Sequence, residues 1–422
     1  MRFIARSKSM LRAINCPTTN QQACNTERYC VKPFVNLCKL WYNFRVDAAR
    51  EKNKMPYLRT HTEIDLLAIR HNAETIKRYT GKQLIAVVKA DAYGHGAVRV
   101  AEVLRPVADM FAVATVEEGI KLREAGIHKP ILILFSCLPA QVGPIVEFNL
   151  TPSIGDWEFV TALNAIASDT TPTKVHLNVN TGMNRSGVCW TEAQQFLSQL
   201  KNLPRLEVEG LFTHLATADE TDKSFVSVQL KRFSSVLSDN GEKMVHVANS
   251  AATLAVPESH FDAVRPGLSL YGIYPAAEKP ILLKPALTWK ARIGWISTIS
   301  EGEGVSYGLT YKAPYPIRVA MVQIGYGDGY PRALSGRGEV LIGGMHRPII
   351  GRVCMDVSVV QLKPADKVAI GDEVVLIGKQ GDAEITIDEV AQHARTISYE
   401  ILTQIGTRVK RTFRPVSHNN EH

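Results

Sequence analysis

The chain has 422 residues, of which 45% are hydrophobic and 21% are charged, and this composition supports a buried core and excludes a disordered or collagen-like chain. The formal net charge of +8 would by itself suggest a nucleic-acid binder. However, 11 of the 49 basic residues and three of the 41 acidic residues lie within residues 1–54, which leaves 38 of each in the remainder. Because that remainder has no net charge, we expect it to have neither a nucleic-acid nor a membrane partner.

Residues 1–54 differ from the rest of the chain in more than charge. They hold four of the seven cysteines and contain no apolar run long enough for a secretory signal. We expect them to form an unstructured basic extension or to lie upstream of a working start at Met55, with an organellar transit peptide as the alternative. No cysteines show CxxC spacing, so the sequence predicts no disulfide, no metal site and a cytoplasmic location.

Residues 55–285 alternate between short apolar runs and amphipathic, helix-like segments. Eight such units in about 200 residues predict a closed (β/α)8 barrel of the TIM type, in an α/β fold class. The segment Asp65–Tyr79 is predicted to be a helix on the outside of the barrel. The predicted strands are Leu84–Val88, Met110–Ala114, Ile131–Phe135, Leu150–Ile154, Val175–Val179, Val208–Thr213, Met244–Ala248 and Ala263–Leu270.

Residues 286–415 have a different pattern, and we expect 416–422 to be a tail. Helical periodicity is confined to Ile387–Ile401, and turns containing Gly, Pro and Asp separate short β-rich runs. The pattern predicts a C-terminal, mostly β domain. Its predicted strands are Arg292–Ile299, Ile317–Ile324, Gly338–Leu341, Ile349–Val353 and Glu373–Ile377.

Active sites of such barrels are built from the carboxyl ends of the strands and the loops that follow. Lys89 follows four apolar residues, so it is expected to emerge into a partly desolvated mouth, where burial favours a neutral, reactive amine. A solvated lysine at a strand end is the alternative. The other polar or glycine residues at strand ends are Tyr93, Asn180, Arg185, His214, Asn249, Ser250, Arg265 and Gly267.

The segment Val87-Val-Lys-Ala-Asp-Ala-Tyr-Gly-His-Gly96 resembles the lysine motif of the pyridoxal-phosphate-dependent alanine racemases, and eight further segments match that family in collinear order. The resemblance covers essentially all of residues 55–415. The other matching segments begin at Asn180 (NTGMNRSG), Thr213 (THLATAD), Ala248 (ANSAA), Val264 (VRPGLSLYG), Val305 (VSYG), Ile324 (IGYGDG), Gly351 (GRVCMD) and Ser398 (SYE).

The resemblance implies an amino-acid racemase with two bases. Lys89 would hold pyridoxal 5'-phosphate covalently and act as a base on one face of the substrate α-carbon. Tyr307 of the partner subunit in a homodimer would act on the other face. Arg265 would face the pyridine nitrogen and, because arginine keeps its protons, leave that nitrogen unprotonated. Without the resemblance, Tyr307 would be interpreted as a buried turn tyrosine and Arg265 as part of a salt bridge.

Further roles follow from the resemblance alone. His214 would pack against the cofactor ring, and Asp219, Tyr326 and Arg332 would line the entrance. The residues implied to bind the cofactor are Lys89, Tyr93, Arg185, His214, Asn249, Ser250, Arg265, Gly267 and Tyr399. The residues implied to bind the substrate are Arg185, Tyr307, Met355 and Asp356.

Asn178 departs from a common family pattern. Many members have a lysine seven residues before the Arg185 position, carbamylated so that it presents a negative charge to the arginine. Asparagine cannot be carbamylated, so Arg185 needs another anionic partner, and we hypothesise a bound chloride. Broad-specificity racemases also carry asparagine there.

The expected activity is interconversion of L- and D-alanine, which would supply D-alanine for peptidoglycan. A serine or broad-specificity racemase on the same scaffold is the alternative. Barrel decarboxylases of basic amino acids fit less well, because the segments Val305-Ser-Tyr-Gly and Cys354-Met-Asp in this chain fit a racemase better. A non-catalytic pyridoxal-phosphate carrier would be expected to consist of the barrel alone.

Overall fold

The structure is a computed structural model, and it describes residues 58–237 and 241–414. The extension predicted for residues 1–54 and the tail predicted for 416–422 lie outside the described residues. Two β structures account for most of the chain that is described: a parallel barrel with surrounding helices, and a C-terminal β sheet.

Eight parallel strands close into a barrel, which confirms the predicted fold. The sheet runs in the order β2-β3-β4-β5-β6-β8-β9-β10, and β10 pairs with β2 to complete the ring. A two-residue strand, β7, pairs with the end of β6. These strands are β2 (Gln83–Val87), β3 (Met110–Val113), β4 (Ile131–Ile133), β5 (Thr151–Ile154), β6 (Thr173–Asn180), β7 (Val188–Cys189), β8 (Leu206–Phe212), β9 (Met244–His246) and β10 (Ala263–Val264).

Helices follow the barrel strands, as the alternating pattern predicts. The first, α1 (Leu66–Thr80), begins where the Asp65 carboxylate accepts a hydrogen bond from the Ala68 amide, and it ends at Gly81, whose φ is 64°. Its apolar face packs against β2 and the next helix, α2. The remaining barrel helices are α2 (Ala97–Leu104), α3 (Val116–Glu124), α4 (Val142–Glu147), α5 (Trp157–Ile166), α6 (Ala193–Leu200), α7 (Ser224–Ser234) and α8 (Ser250–Ala255).

The C-terminal part is mostly β, which confirms the second half of the prediction. Its longest strand, β11, pairs with strands on both sides, and the pairing of β11 with β18 closes the antiparallel part of the sheet. Its strands are β11 (Leu287–Ile299), β12 (Gly304–Val305), β13 (Tyr311–Lys312), β14 (Ile317–Val322), β15 (Glu339–Ile342), β16 (Met345–Ile350), β17 (Ser358–Leu362), β18 (Glu373–Gln380), β19 (Ala383–Ile385) and β20 (Lys410–Phe413), and its helices are α9 (Ile387–Ala394) and α10 (Ser398–Thr403).

Three sequence-based boundaries need correction. A strand ahead of the barrel, β1 (Thr60–Ile64), pairs with β11 and β20, so it belongs to the C-terminal sheet and not to the barrel. The last predicted barrel strand, Ala263–Leu270, is a strand only at Ala263–Val264, because a short helical turn begins at Leu268. The predicted helix Ile387–Ile401 is broken at Arg395, whose φ is 58°.

Candidate active site

A cavity of about 640 Å³ opens at the carboxyl ends of the barrel strands. Barrel enzymes use this end of the fold because the loops there can vary without disturbing the packed interior. The cavity brings together most of the residues that the sequence predicted: Lys89, Tyr93, Asn178, Asn180, Arg185, His214, Asp219, Asn249, Ser250, Arg265, Gly267 and Tyr399.

Lys89 begins an unusual turn directly after β2. Four consecutive residues, from Ala90 to Tyr93, have φ between 51° and 55°, a left-handed conformation that costs roughly 1–2 kcal/mol per L-residue. Local hydrogen bonds hold the turn: the Ala90 amide donates to Glu118 Oε1 at 2.6 Å, and Asp91 Oδ1 accepts from the Ala97 amide at 3.0 Å. These two hydrogen bonds hold the strained backbone next to Lys89 in a single conformation.

The Lys89 amine lies in a positively charged and partly apolar part of the cavity. Its Nζ is 5.1 Å from the centre of the Phe135 ring, and the Arg185 guanidinium carbon is 5.0 Å from the same centre. Burial and, secondarily, the charge of Arg185 lower the pKa of Lys89 below its ordinary value of 10.5. The site therefore favours the neutral, nucleophilic form of this amine.

Arg265 is a buried cation held by neutral acceptors. One terminal nitrogen donates to His246 Nδ1 at 2.8 Å, and the other donates to the carbonyl oxygens of Thr213 and Val247 at 2.7 and 3.0 Å. Burial lowers the pKa of Arg265 to about 9, so it stays charged at neutral pH. Its Nε–H has no partner among the described residues and is available to a ligand in the cavity.

His214 lies beside Arg265, with its Nδ1 3.5 Å from a terminal guanidinium nitrogen. Burial and the charges of Arg265, Arg185 and Lys89 hold the pKa of His214 well below its ordinary value. The imidazole is therefore neutral at physiological pH, and it presents an uncharged ring to the cavity that it lines.

One wall of the cavity presents donors suited to a phosphate group. Ser250 Oγ accepts hydrogen bonds from the amides of Gly267 and Ser269 at 2.7 and 3.3 Å, and the Asn249 side chain caps α8 by accepting from the Ala252 amide. Amide groups and short hydroxyl side chains at such a helix start are typical anion ligands.

Two tyrosines complete this wall. The rings of Tyr93 and Tyr399 are 5.9 Å apart, and neither hydroxyl is hydrogen-bonded to another described residue. Burial raises the pKa of both phenols, that of Tyr399 to about 12, so both remain hydrogen-bond donors. A Cβ at Gly267 would lie 2.4 Å from the Tyr93 hydroxyl, so only glycine leaves this corner open. The two hydroxyls without partners and the unfilled corner fit a bound phosphate.

Asn178 is buried and lines the same cavity as Arg185. Its Nδ2 donates to Ser186 Oγ at 3.0 Å. A Cβ at Gly187 would lie 2.9 Å from the Asn178 carboxamide carbon, so the glycine makes room for this side chain. Arg185 makes no ion pair with any carboxylate in the part of the chain that the structure describes.

Apart from Tyr399, the predicted residues of the C-terminal domain are not brought to this cavity within one chain. Tyr307 is 71% exposed in a short turn between β12 and β13, so it is not the buried turn tyrosine of the alternative interpretation. Met355 is also exposed, and Asp356 pairs with Arg408 at 2.6 Å. Tyr326 and Arg332 lie in two other short turns of the C-terminal domain and likewise do not line the cavity.

Sequence reasoning missed several residues that shape the site. Phe135 was expected only as the end of a strand, yet both Lys89 and Arg185 lie over its ring. His246 and His176 lie inside predicted apolar strands. An ionisable residue within an apolar run was the sequence feature that could have marked both as buried polar residues near the site. Across residues 58–237 and 241–414, no group of three or more metal-ligating side chains is placed to hold an ion.

The fold and the cavity define a class of protein: a (β/α)8-barrel enzyme with a lysine of lowered pKa in the cavity at the carboxyl ends of its strands. The chain belongs to the alanine racemase family. It matches the family descriptions "Alanine racemase, N-terminal domain" over residues 64–275 and "Alanine racemase, C-terminal domain" over residues 286–413. The resemblance predicted from the motifs is thereby confirmed.

Individual relatives agree with this assignment. The chain is 44% identical to an alanine racemase of Carboxydothermus hydrogenoformans over 83% of this chain and 98% of the relative. A crystal structure of the Bacillus anthracis alanine racemase with bound L-Ala-P superposes with a TM-score of 0.80 at 39% identity, covering 85% of this chain and 96% of that one.

A Bartonella henselae alanine racemase with covalently bound pyridoxal phosphate gives a TM-score of 0.79 at 29% identity, covering 85% and 100% of the two chains. The protein is therefore an amino-acid racemase, and the comparisons support alanine as its substrate. They do not favour the serine or broad-specificity alternative.

Proposed function

We propose that this protein interconverts L- and D-alanine with pyridoxal 5'-phosphate bound at Lys89, using Lys89 and Tyr307 of the partner subunit as its two bases. The observation that carries the proposal is the position of Lys89. Lys89, whose amine has a lowered pKa, lies at the mouth of the barrel and lines the same cavity as Ser250, Gly267 and the tyrosines Tyr93 and Tyr399, whose hydroxyls have no partner among the described residues.

The residues present fit the cofactor. Tyr93, Ser250, Gly267 and Tyr399 would hold the phosphate, and Asn249 would keep Ser250 in place by capping the start of α8. When bound, the cofactor supplies an electron-withdrawing ring that makes the α-proton of the amino acid acidic. The covalently bound pyridoxal phosphate in the Bartonella henselae relative supports covalent attachment of the cofactor here.

The barrel residues would orient the substrate and move one of the two protons. Lys89 takes a proton from, or returns it to, one face of the substrate α-carbon. Arg185, next to Lys89 above Phe135, would bind the substrate carboxylate. Arg265 would direct its free Nε–H to the pyridine nitrogen, and His214 would pack against the ring as a neutral imidazole.

The second proton transfer needs a group on the opposite face, and the family motifs imply Tyr307 of another copy for this role. Tyr307, Met355 and Asp356 are exposed on the C-terminal domain and are chemically suited to complete the site of another copy. We therefore propose a homodimer in which each active site uses residues of both subunits.

The biological role that we propose is supply of D-alanine for peptidoglycan in the cytoplasm. The three described cysteines, Cys137, Cys189 and Cys354, are free thiols, which fits a reducing compartment. No helix in the described residues is long and apolar enough to cross a membrane.

The test is to incubate the purified protein with pyridoxal phosphate and L-alanine, and separately with L-serine, and to measure both enantiomers over time. We expect D-alanine to form faster than D-serine. Lys89→Ala should abolish both racemisation and the visible absorbance of the lysine-bound cofactor, whereas the exposed Lys82→Ala should change neither. Absence of both signals in the unmutated protein would refute the proposal, and faster D-serine formation would favour the serine racemase alternative.

A further inference from the structure

Arg265 is 3% exposed and forms no ion pair with a carboxylate anywhere in the described residues. A buried charge without compensation is strongly destabilising, so the surroundings of Arg265 must stabilise it in another way. Its nearest side-chain acceptor is His246, which is itself fully buried and whose ring stacks on Phe212 at 5.0 Å. Because His246 is neutral, any negative charge that stabilises Arg265 must belong to a residue beyond His246.

The hydrogen bonds fix the tautomers of two histidines. Arginine can only donate, so His246 Nδ1, 2.8 Å from Arg265, must be the acceptor and His246 must carry its proton on Nε2. That Nε2 lies 2.7 Å from Nδ1 of His176. His176 Nδ1 is therefore also an acceptor, and the His176 proton is on Nε2. Burial lowers the pKa of both rings, which keeps them neutral.

The series of side chains that begins at Arg265 and continues through His246 and His176 ends at the carboxylate of Glu209. His176 Nε2 faces Glu209 Oε2 at 3.7 Å, and both atoms are buried without a hydrogen-bond partner among the described residues. The other carboxylate oxygen, Oε1, accepts from Lys174 at 2.6 Å. His176, and then Lys174, lower the pKa of Glu209 to about 2, so this group is negative at neutral pH.

The strand geometry makes room for this arrangement. Gly210 on β8 pairs with His176 on β6, and the pairing of the two strands is irregular between Val175 and His176. A Cβ at Gly210 would lie 2.6 Å from His176 Nδ1, so only glycine accommodates the ring there. The two histidines are thereby held between the arginine and the carboxylate.

We propose that Glu209 and His176 are positioning residues: when the 3.7 Å gap between them closes to a hydrogen bond from His176 Nε2–H, Glu209 stabilises the tautomers that the Arg265–His246 contact requires and so orients the Arg265 guanidinium. Each N–H group in the series, on Arg265, His246 and His176, then donates to the next residue, and the last one donates to the carboxylate. Neither Glu209 nor His176 is among the residues that line the cavity, so each can act on a ligand there only through Arg265. The catalytic consequence rests on the proposed function, in which Arg265 contacts the pyridine nitrogen.

The first test reads the tautomers directly and requires no activity. Protein free of cofactor and labelled with ¹⁵N-histidine is examined by long-range ¹H–¹⁵N correlation, with assignments from His176→Gln and His246→Gln. We expect both rings to be neutral with the proton on Nε2. In Glu209→Leu the buried His176 Nε2–H would have no acceptor. Reversal of both rings would remove that cost and break the Arg265–His246 hydrogen bond, so both rings should show a mixture of tautomers.

Matched controls separate this effect from general damage. Glu207→Leu changes an exposed carboxylate on the same strand and should leave the tautomers as they are. The His260 Nε2, bonded to the Thr253 carbonyl at 3.0 Å, should keep its signal in every variant. A proton on His246 Nδ1 in the unmutated protein, or unchanged tautomers in Glu209→Leu, would overturn the proposal. If Glu209→Leu does not fold, Glu209→Gln, which keeps a neutral acceptor, should give a smaller shift of the same kind.

The second test reads catalysis in the cofactor-loaded enzyme. Glu209→Leu should lower kcat for racemisation about tenfold, as loss of an outer hydrogen-bond partner commonly does, with little change in KM for L-alanine. Glu209→Gln should recover part of kcat, and Glu207→Leu should match the unmutated enzyme. An unchanged kcat in Glu209→Leu would contradict the positioning role. Failure of the unmutated enzyme to racemise alanine would refute the proposed function and leave the tautomer test standing.

Discussion

Lys89 and Arg185 lie over the same aromatic ring, with the Lys89 Nζ and the Arg185 guanidinium carbon each about 5 Å from the centre of Phe135. Neither cation makes an ion pair with a carboxylate in the described part of the chain. A cation with no anionic partner is tolerated here because the ring face is attractive to positive charge and because the lysine can become neutral. The ionisation of Lys89 is therefore coupled to the charge of Arg185.

This coupling predicts how Lys89 titrates. A lowered pKa means that a larger fraction of the amine is neutral at any pH near neutrality, so Lys89 should react with acetic anhydride at lower pH than an ordinary lysine. Competitive labelling of cofactor-free protein, followed by peptide mass spectrometry, gives the midpoint. We expect it below 10.5 in the folded protein and at the ordinary value in denaturant.

Arg185→Gln should raise the Lys89 midpoint only part of the way, because burial is the larger cause of the shift. A midpoint at or above that of the denatured protein would contradict this account of the site.

Gly267 should be intolerant of a side chain. The methyl group of Gly267→Ala would lie 2.4 Å from the Tyr93 hydroxyl and force this ring out of the phosphate wall. Titration of the cofactor-free protein with pyridoxal phosphate should show affinity reduced about tenfold or more, equivalent to about 1.4 kcal/mol. Gly143→Ala is the control, because a Cβ there meets nothing within 4 Å. Equal affinity in both variants would mean that Tyr93 and Gly267 do not form the phosphate site.

Asn178 should make the enzyme dependent on chloride. Arg185 needs a negative partner that Asn178 cannot provide, and chloride would supply it. We expect lower racemase activity in chloride-free buffer of matched ionic strength, with recovery when chloride is added back. Asn178→Lys should be less sensitive to chloride than the unmutated enzyme. Equal activity of both proteins with and without chloride would reject a chloride site here.

The barrel could be predicted from the sequence because its strands are buried on both faces. Buried parallel strands read as short apolar runs, and all eight were located. The strand β1 was not predicted, and its residues were included in the barrel range 55–285. Its partners, β11 and β20, lie more than 200 residues away in the chain. Local periodicity contains no information on such a long-range pairing.

The site could be predicted where strand ends carry polar residues, as at Lys89 and Arg265. It could not be predicted where function depends on contacts between strand interiors. His176 and His246 are buried positions within apolar runs, and only the structure shows that they meet and extend from Arg265 towards Glu209. The break at Arg395 was missed for a related reason, since a single left-handed residue does not interrupt the apolar periodicity around it.

The central claim is that barrel residues of one subunit and Tyr307 of the other form one active site. Co-expression of Lys89→Ala and Tyr307→Phe subunits with two different affinity tags allows the heterodimer to be purified. One of its two sites would contain both changes and the other would contain neither.

Each mutant homodimer should be inactive, and this heterodimer should recover about half of the unmutated activity because one of its two sites is intact. A heterodimer of Lys89→Ala with Arg185→Ala, both in the barrel, should recover none because neither site is intact. If the Lys89→Ala/Tyr307→Phe heterodimer is no more active than its parent homodimers, the shared active site is contradicted.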